Sequence, residues 1–247
     1  MAKKLRIDKM LSNLGYGTRT EIKRYLKNGM VELNDIKIKD ASFQVDPEQD
    51  EVKFDGQKVN YREFIYLMMN KPDGYISATS DKYDPTVLDI LDKEYLAFEP
   101  FPVGRLDKDT EGLLVLTNDG KLAHRVLSPK KHVKKIYYAE VRGNVTEMDV
   151  YAFAKGVKLD DDYECQPGEL KILETIENGI DEDVLSKIEL TIYEGKFHQV
   201  KRMFESVDKE VVYLKRISMG KLELDENLEL GEYRELTDDE VKMIEER

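Results

Sequence analysis

The chain has few of the residues that build disulfides and metal centres. Its 247 residues include a single cysteine, Cys165, which excludes an internal disulfide. The three histidines, His124, His132 and His198, are scattered and offer no metal-ligand spacing. We therefore expect no structural or catalytic metal and no cofactor.

Long apolar runs are also missing. No segment has the length and hydrophobicity of a membrane span, and the charged start MAKKLRIDKM is not followed by the apolar stretch of a signal peptide. We expect a protein of the cytoplasm with no membrane partner. Hydrophobic residues make up 40% of the chain, which is enough for a core in one large domain or in two unequal ones.

The charge is acidic on average but strongly segregated. The net charge is −12, yet residues 1–40 carry ten basic against five acidic side chains, and residues 120–142 carry seven against one. Residues 144–194 and 221–247 hold most of the acidic excess, at −10 and −7. This pattern suits a protein with a basic face for a phosphate backbone and an acidic back. The alternative is that each run is only a solvated face.

The first 60 residues predict two helices and a small sheet. Apolar residues at helical spacing begin at Ile7, and a capping box formed by Thr18 and Glu21 begins a second helix. Two short strands around a turn at Asn34-Asp35 follow, and Val45 and residues 51–54 are expected to complete the sheet. Four basic residues of the second helix would form an exposed RNA-binding face: Arg19, Lys23, Arg24 and Lys27.

The densest pattern is the stretch GRLDKDTEGLLVLTNDG at residues 104–120. Its apolar run LLVL predicts a strand buried on both faces, preceded by a polar loop with a glycine at each end. Loops fixed to rigid strands often carry chemistry, and Asp107 with Arg105 beside a buried strand could supply a carboxylate in a partly dry pocket. A solvated turn with a surface ion pair is the alternative.

A basic run precedes a strand that carries two tyrosines. Lys130, Lys131 and Lys134 form candidate RNA contacts, and the strand of residues 136–141 follows them. The alternation of side chains places Tyr137 on one face and Tyr138 on the other, so one tyrosine can face a pocket while its neighbour packs.

Residues 197–207 predict a helix with an apolar stripe. At 100° per residue, Phe197, Val200, Phe204 and Val207 lie on one side. Lys201 borders the stripe and could reach inward to a buried anion, or it could extend along the edge of the core. Arg202 points nearly opposite and is expected to meet solvent or a phosphate.

These segments together resemble two known families. RIDKML, Thr18-Arg19 and GMVELND are similar to the recurring residues of the S4 RNA-binding domain, with Asp35 in place of a usual glycine. The whole chain resembles the RsuA branch of the pseudouridine synthases. That second resemblance rests on KPDGYISAT, GRLDKDTEGLLVLTNDG, KIYYAEV, EGKFHQVKRMFE and LELGEYRELTDDE, in this order after the S4-like start.

The resemblance implies a role for several residues. Asp107 matches the essential aspartate, Tyr137 the active-site tyrosine, Lys201 the basic residue that pairs with the aspartate, and Val200 the apolar residue beside it. Arg105 matches the arginine two positions before the aspartate, and Leu106 joins it as a pocket residue. HQVKRM, where large-subunit branches usually read RQIRRM, favours the small-subunit branch.

The expected protein is an α+β enzyme. A small S4-like RNA-binding domain (residues 1–60) is followed by a mixed, mainly antiparallel pseudouridine synthase domain (residues 61–247). The expected reaction is isomerisation of a uridine in small-subunit ribosomal RNA, free or in a pre-ribosomal particle, by a monomer. A large-subunit synthase and a non-catalytic S4-type assembly factor are the alternatives.

Overall fold

The chain divides into two structural units that are interleaved in sequence. The computed structural model describes residues 4–47, 49–128, 131–178 and 183–246. The first unit contains the residues up to Ile65 together with Leu91–Pro100, and the second contains Tyr66–Ile90 and the residues from Phe101 onward. The domain boundary predicted from the sequence lies after residue 60, and a single boundary of this kind cannot represent the assignment of Leu91–Pro100 to the first unit.

Short elements with a small apolar core form the first unit. Apolar side chains of both N-terminal helices and of the strands are fully buried together, including Ile7, Leu11, Ile22 and Leu26. The predicted capping box is confirmed, because the Thr18 hydroxyl accepts from the Glu21 backbone N–H and Glu21 returns the contact. The elements are β1 (Leu5–Arg6), α1 (Ile7–Asn13), α2 (Arg19–Lys27), β2 (Val31–Leu33), β3 (Ile36–Lys37), β4 (Gln44–Val45), β5 (Val52–Phe54), β6 (Gln57–Lys58) and α3 (Lys93–Leu96).

The small sheet differs from the prediction at one strand. Strands β3, β2, β5 and β6 pair in that order, as the hairpin pattern indicates. Strand β4, which contains Val45, instead pairs with β1 in a separate two-stranded sheet. The prediction that Val45 completes the first sheet is therefore wrong, because its partner strand precedes the helices.

The second unit is built on one large sheet with short helices. A 3-10 turn at Val87–Ile90 precedes the segment that joins the first unit. The remaining elements are β7 (Tyr66–Lys71), β8 (Phe101–Pro102), β9 (Glu111–Thr117), α4 (Gly120–Leu127), β10 (Lys135–Arg142), α5 (Glu147–Lys155), β11 (Glu169–Asn178), β12 (Asp183–Ile192), α6 (Gln199–Glu205), β13 (Glu210–Met219), β14 (Leu222–Glu223), β15 (Tyr233–Glu235) and α7 (Asp238–Met243).

Strand β9 lies inside this sheet, as its apolar run predicts. The strand order is β11-β12-β10-β13-β9-β7-β15, with β14 beside β13 and β8 beside β9. The pairs are antiparallel apart from β13 with β9, which is parallel. The mixed, mainly antiparallel sheet is confirmed. Leu113, Leu114, Val115 and Leu116 are fully buried.

Helix α6 is shorter than its hydrophobic pattern predicts. It begins at Gln199 and ends at Glu205, so Phe197 and Val207 lie outside it. Residue His198 has a φ of +48°, in the left-handed region, and a helix cannot continue through that conformation. Phe197 is 74% exposed, and its predicted place on the buried stripe is wrong.

Gly112 allows the parallel strand to approach. Its φ is +99°, and it aligns with Arg216 of β13. A Cβ at this position would lie 2.3 Å from the Arg216 carbonyl oxygen and 2.9 Å from its nitrogen. Only glycine fits here, so the glycine that closes the polar loop is required by the sheet.

Replacing Gly112 with alanine should destabilise the protein by about 3 to 5 kcal/mol, because backbone strain and overpacking add at one site. Denaturant unfolding followed by circular dichroism measures this change. Gly120→Ala is the matched control: nothing lies within 4 Å of its added Cβ, and the residue begins α4. That variant should be neutral or slightly more stable. Equal stability of the two variants would contradict the conclusion that the sheet requires glycine at residue 112.

Within the described ranges, every helix is too short or too polar to cross a bilayer. The same residues contain no group of three or more His, Cys, Asp or Glu side chains arranged to hold a metal ion.

Candidate active site

A buried lysine holds the backbone of the loop before β9 through hydrogen bonds. Lys71, the last residue of β7, has no exposed surface. Its Nζ donates to the carbonyl oxygens of Pro72, Lys108 and Thr110, at 3.0, 3.1 and 2.8 Å. Two of these acceptors belong to the loop that contains Asp107. Burial lowers the pKa of Lys71 to about 8, although four nearby carboxylates oppose the shift.

Two further contacts hold the same loop. The Ser77 hydroxyl donates to the Leu106 carbonyl oxygen at 2.9 Å and accepts from the Leu106 N–H at 3.0 Å. The Gly74 N–H donates to the Lys108 carbonyl oxygen at 3.0 Å. The segment KPDGYISAT therefore anchors the loop through Lys71, Gly74 and Ser77. The anchoring role of Lys71 is not predicted from the sequence; the signal that could have shown it is a lysine at the end of an apolar strand.

Asp107 lies on this anchored loop with its carboxylate partly open. Its side chain is 30% exposed, and Oδ1 lies 3.7 Å from Nε2 of His198. The Asp107 carbonyl oxygen accepts from the Thr110 N–H at 3.1 Å, which closes the turn. Several hydrogen bonds thus hold the backbone of the loop, while the Asp107 carboxylate remains partly exposed to solvent.

Lys201 has a different partner from the one that the resemblance implies. Its Nζ lies 2.6 Å from both carboxylate oxygens of Asp109, two residues after Asp107. Burial alone would raise the pKa of Asp109, but the hydrogen bond and charge of Lys201 lower it. The expected pairing with Asp107 is replaced by a pairing with Asp109, because the turn presents the second carboxylate to α6. This partner is not a buried anion, since the Asp109 side chain is 64% exposed.

Tyr137 occupies the buried face of β10, and Tyr138 lies on the opposite face, as alternation predicts. Tyr137 is 7% exposed, and Tyr138 is half-buried. Tyr137 aligns with Arg216 of β13, and Arg216 aligns with Gly112 of β9. One row across the sheet therefore connects the tyrosine with the strand that follows the Asp107 loop. The hydrogen bonds and ion pairs of the described residues do not include the Tyr137 hydroxyl.

Two further cations lie in this region of the sheet and are not among the residues predicted from the sequence: Arg216, which is buried, and Lys135, which is half-buried. Arg216 is 1% exposed; its Nε donates to the Leu113 carbonyl oxygen at 2.8 Å, while Nη2 has no partner among the described residues. Lys135 donates to the Val133 carbonyl oxygen at 3.0 Å. Burial lowers the pKa of Lys135 to about 8, the charge of Arg216 lowers it further, and Glu194 opposes the shift. The alternation of side chains along a strand predicts which positions face the interior. It gives no reason to expect that a lysine or an arginine will occupy such a position.

The remaining pocket candidates fall in different environments. Leu106 is 5% exposed and Val200 4% exposed, so both side chains pack in the interior. Arg105 is exposed, and its side chain makes no hydrogen bond or ion pair with the described residues. It is therefore free to meet a ligand, whereas Leu106 and Val200 support the site from within.

A polar network fixes the start of α6. Gln199 is buried, and its Nε2 donates to a Glu194 oxygen at 2.6 Å while its Oε1 accepts from the Lys196 N–H at 2.8 Å. Glu194 also accepts from the Tyr163 hydroxyl at 2.6 Å. The residues EGKFHQ therefore form a closed turn that positions His198 and Lys201.

The candidate RNA contacts are mostly exposed, with one exception. Arg202 contacts Asp160 and Asp161, and its side chain is only 15% exposed. The expectation that its guanidinium meets solvent or a phosphate is wrong, because these two aspartates occupy it. Lys130 lies outside the described residues. Arg19, Lys23, Arg24, Lys27 and Lys131 are exposed, and Lys134 is half-buried.

Two family models match the chain. The model of RNA pseudouridylate synthase matches residues 65–206, and the model of the S4 domain matches residues 5–52. The first match covers the loop with Asp107, strand β10 with Tyr137, and helix α6 with Lys201. The second covers α1 and α2.

Known proteins are similar over nearly the full length. An uncharacterized RNA pseudouridine synthase of Bacillus subtilis (strain 168), YtzG, is 50% identical over 242 residues, covering 98% of this chain and 99% of that protein. Ribosomal small subunit pseudouridine synthase A of Escherichia coli (strain K12) is 36% identical, covering 97% and 100%. A crystal structure of a pseudouridylate synthase is 36% identical, with a TM-score of 0.65, covering 97% of this chain and 99% of that one.

Proposed function

The chain belongs to the RNA pseudouridylate synthase family and carries an S4 domain, and we propose that it isomerises a uridine of small-subunit ribosomal RNA with Asp107 as the catalytic carboxylate. The observation that carries this assignment is the anchoring of the Asp107 loop. Lys71 and Ser77 hold its backbone, and the carboxylate remains 30% exposed. A rigid loop that presents a partly exposed carboxylate provides the preorganisation that catalysis requires.

The reaction needs a carboxylate but no redox partner. The N1–C1′ bond of uridine breaks, the uracil turns, and a C5–C1′ bond forms while the C5 proton is released and N1 gains one. Three roles are open to Asp107: attack on C1′, addition to C6, or removal of a sugar proton. Each requires an ionised carboxylate within reach of the nucleotide.

Lys201 supports the assignment by neutralising the second carboxylate of the loop. Its ammonium pairs with both oxygens of Asp109. Asp107 is then the carboxylate that remains for the substrate, with His198 Nε2 3.7 Å from its Oδ1. We propose that Lys201 is a positioning residue that fixes the loop against α6.

Tyr137 is the proposed stacking partner of the target uracil. The base has to leave its stack before the N1–C1′ bond can be reached, at a cost of a few kcal/mol. Stacking of the uracil on the aromatic ring of Tyr137 recovers part of that cost. Tyr137 lies in the same cross-strand row as Gly112 of β9, the strand that follows the Asp107 loop. Arg105, which is exposed and unpaired among the described residues, is a candidate contact for the nucleotide.

The proposed substrate follows from the S4 domain and from the relatives that act on the small ribosomal subunit. We propose that residues 1–60 bind RNA and residues 61–247 catalyse. The substrate is either free ribosomal RNA or a pre-ribosomal small-subunit particle. We further propose that the protein acts in the cytoplasm as a monomer.

Two measurements test this function. Tritium release from ribosomal RNA labelled at C5 of uridine reports the isomerisation, and chemical mapping of pseudouridine in a deletion strain identifies the subunit. We expect release by the purified protein and loss of one pseudouridine from small-subunit RNA. Loss from large-subunit RNA would contradict the substrate, and no release from any ribosomal RNA would contradict the enzyme assignment.

RNA affinity should depend on salt through α2. Its four basic side chains are exposed, and each phosphate contact that is lost should reduce the slope of log K against log salt by about 0.7 to 1. We expect the double variant Lys23→Ala/Lys27→Ala to lower the slope by about 1.5 to 2 in a binding titration. The control is Lys242→Ala, because Lys242 pairs with Asp239 on α7. An unchanged slope in the double variant would exclude the basic face of α2 as a phosphate-binding surface.

A further inference from the structure

Phe197 is a large apolar ring on the surface next to the candidate catalytic carboxylate. It is 74% exposed, although its place in the sequence pattern predicts burial. The ring stacks on His198, with centroids 3.8 Å apart and planes inclined by 19°. The outer face of the phenyl ring is left open to solvent. Single exposed apolar residues are common, so position and surroundings decide what this one does.

The position of the ring is fixed relative to Asp107. His198, which supports the inner face of the phenyl ring, has its Nε2 3.7 Å from Oδ1 of Asp107. Its φ of +48° turns the backbone at the start of α6, and the buried Gln199 secures that turn. The stacked pair therefore extends outward from the site of the reaction on a rigid support.

The surroundings of the ring disfavour a phosphate. Phe197 lines an open depression of about 500 Å³ together with His198, two cations and three carboxylates. Arg202 is occupied by Asp160 and Asp161, and Lys201 is occupied by Asp109. No unpaired cation among these lining residues is available for a phosphodiester, so the part of a nucleotide that suits this surface is the uncharged face of its base.

We propose that Phe197 stacks on the base of a nucleotide adjacent to the target uridine in the RNA. This inference rests on the proposed function. When the target uridine leaves its stack, the neighbouring base loses one stacking partner, and an exposed aromatic ring supported by His198 replaces it. Base–aromatic stacking tolerates any base, so the contact stabilises the open RNA without selecting a sequence.

The test compares three variants on one RNA under single-turnover conditions. Phe197→Ala should lower kcat/KM by roughly fivefold to a hundredfold, the range expected for loss of one stacked base. Phe197→Tyr keeps the ring and should retain activity within about threefold of the original chain, a smaller change than loss of a stacked base. Tyr151→Ala is the control, because Tyr151 is 67% exposed on α5 and should not affect the rate.

A second experiment removes the RNA base that Phe197 is proposed to contact. Substrates with an abasic site 5′ or 3′ of the target uridine should lower the rate of the original chain, and one of the two should give no additional loss with Phe197→Ala. Equal rates for Phe197→Ala and the original chain, or fully additive losses with both abasic substrates, would overturn the proposal. Activity of the original chain is measured in the same experiment, so failure of the proposed function is distinguished as absence of any tritium release.

Discussion

Asp107→Asn should abolish tritium release from C5-labelled ribosomal RNA, with a fall in rate of roughly 10⁴- to 10⁶-fold. The substitution keeps the size of the side chain but removes the charge that each of the three open mechanisms requires. Asp107 makes no buried ion pair, and its side chain is 30% exposed, so the variant should fold normally. Single-turnover release and thermal unfolding measure the two effects separately.

The matched control for this variant is two residues away. Asp109→Asn removes a carboxylate from the same loop, but this carboxylate is occupied by Lys201 and is 64% exposed. We expect a loss of about tenfold or less, because the pair is largely solvated and only positions the loop. If Asp109→Asn were the inactive variant and Asp107→Asn retained full activity, the catalytic assignment would move to Asp109.

Lys71→Met should destabilise the second unit and impair catalysis together. The buried ammonium satisfies three carbonyl oxygens, of which the Lys108 oxygen keeps a second donor from Gly74. The Pro72 and Thr110 oxygens would lose the Lys71 donor, at about 1 to 3 kcal/mol each, so we expect a loss of about 2 to 5 kcal/mol in the free energy of unfolding. Displacement of the loop by even 1 Å should lower kcat roughly a hundredfold.

The pH dependence of stability gives an independent measurement on Lys71. Its pKa is about 8 in the folded protein and 10.5 as the ordinary value, so the unfolded chain binds more protons between these limits. Stability should therefore rise with pH from about 8 toward 10.5, and by up to about 2 kcal/mol between pH 7.5 and 9.5. Lys71→Met should lose this part of the rise. Lys108→Met, which removes an exposed lysine paired with Asp84, should keep it.

The sequence predicts the local structure of the site well. The apolar run of β9 is buried as expected, Tyr137 and Tyr138 lie on opposite faces of β10 as predicted, and in the first unit Thr18 caps α2. These features depend on residues within one element, where side-chain period and capping chemistry are set by neighbours in the chain.

Pairings between distant segments could not be predicted in the same way. Lys201 and Asp109 are 92 residues apart, and which of two nearby carboxylates a lysine meets depends on the turn that presents them. Lys71 has no charged partner in its hydrogen bonds, so no charge pattern reveals it. Phe197 fits the period of helix α6, but the left-handed φ of His198 makes the helix begin only at Gln199. In each case a tertiary constraint overrides a correct local pattern.

The strand that carries Lys71 is supported by residues that lie far along the chain from it. Strand β15 pairs with β7, and Asn70, next to Lys71, exchanges backbone hydrogen bonds with Gly231 and Glu232. The Asn70 amide also donates to the Leu228 carbonyl oxygen at 2.8 Å. During synthesis on the ribosome, the strand that carries Lys71 therefore emerges about 160 residues before its outer partner. A nascent chain that stops short of residues 228–235 lacks this support, so the strand that carries Lys71 stays an unpaired edge of the sheet until those residues are synthesised.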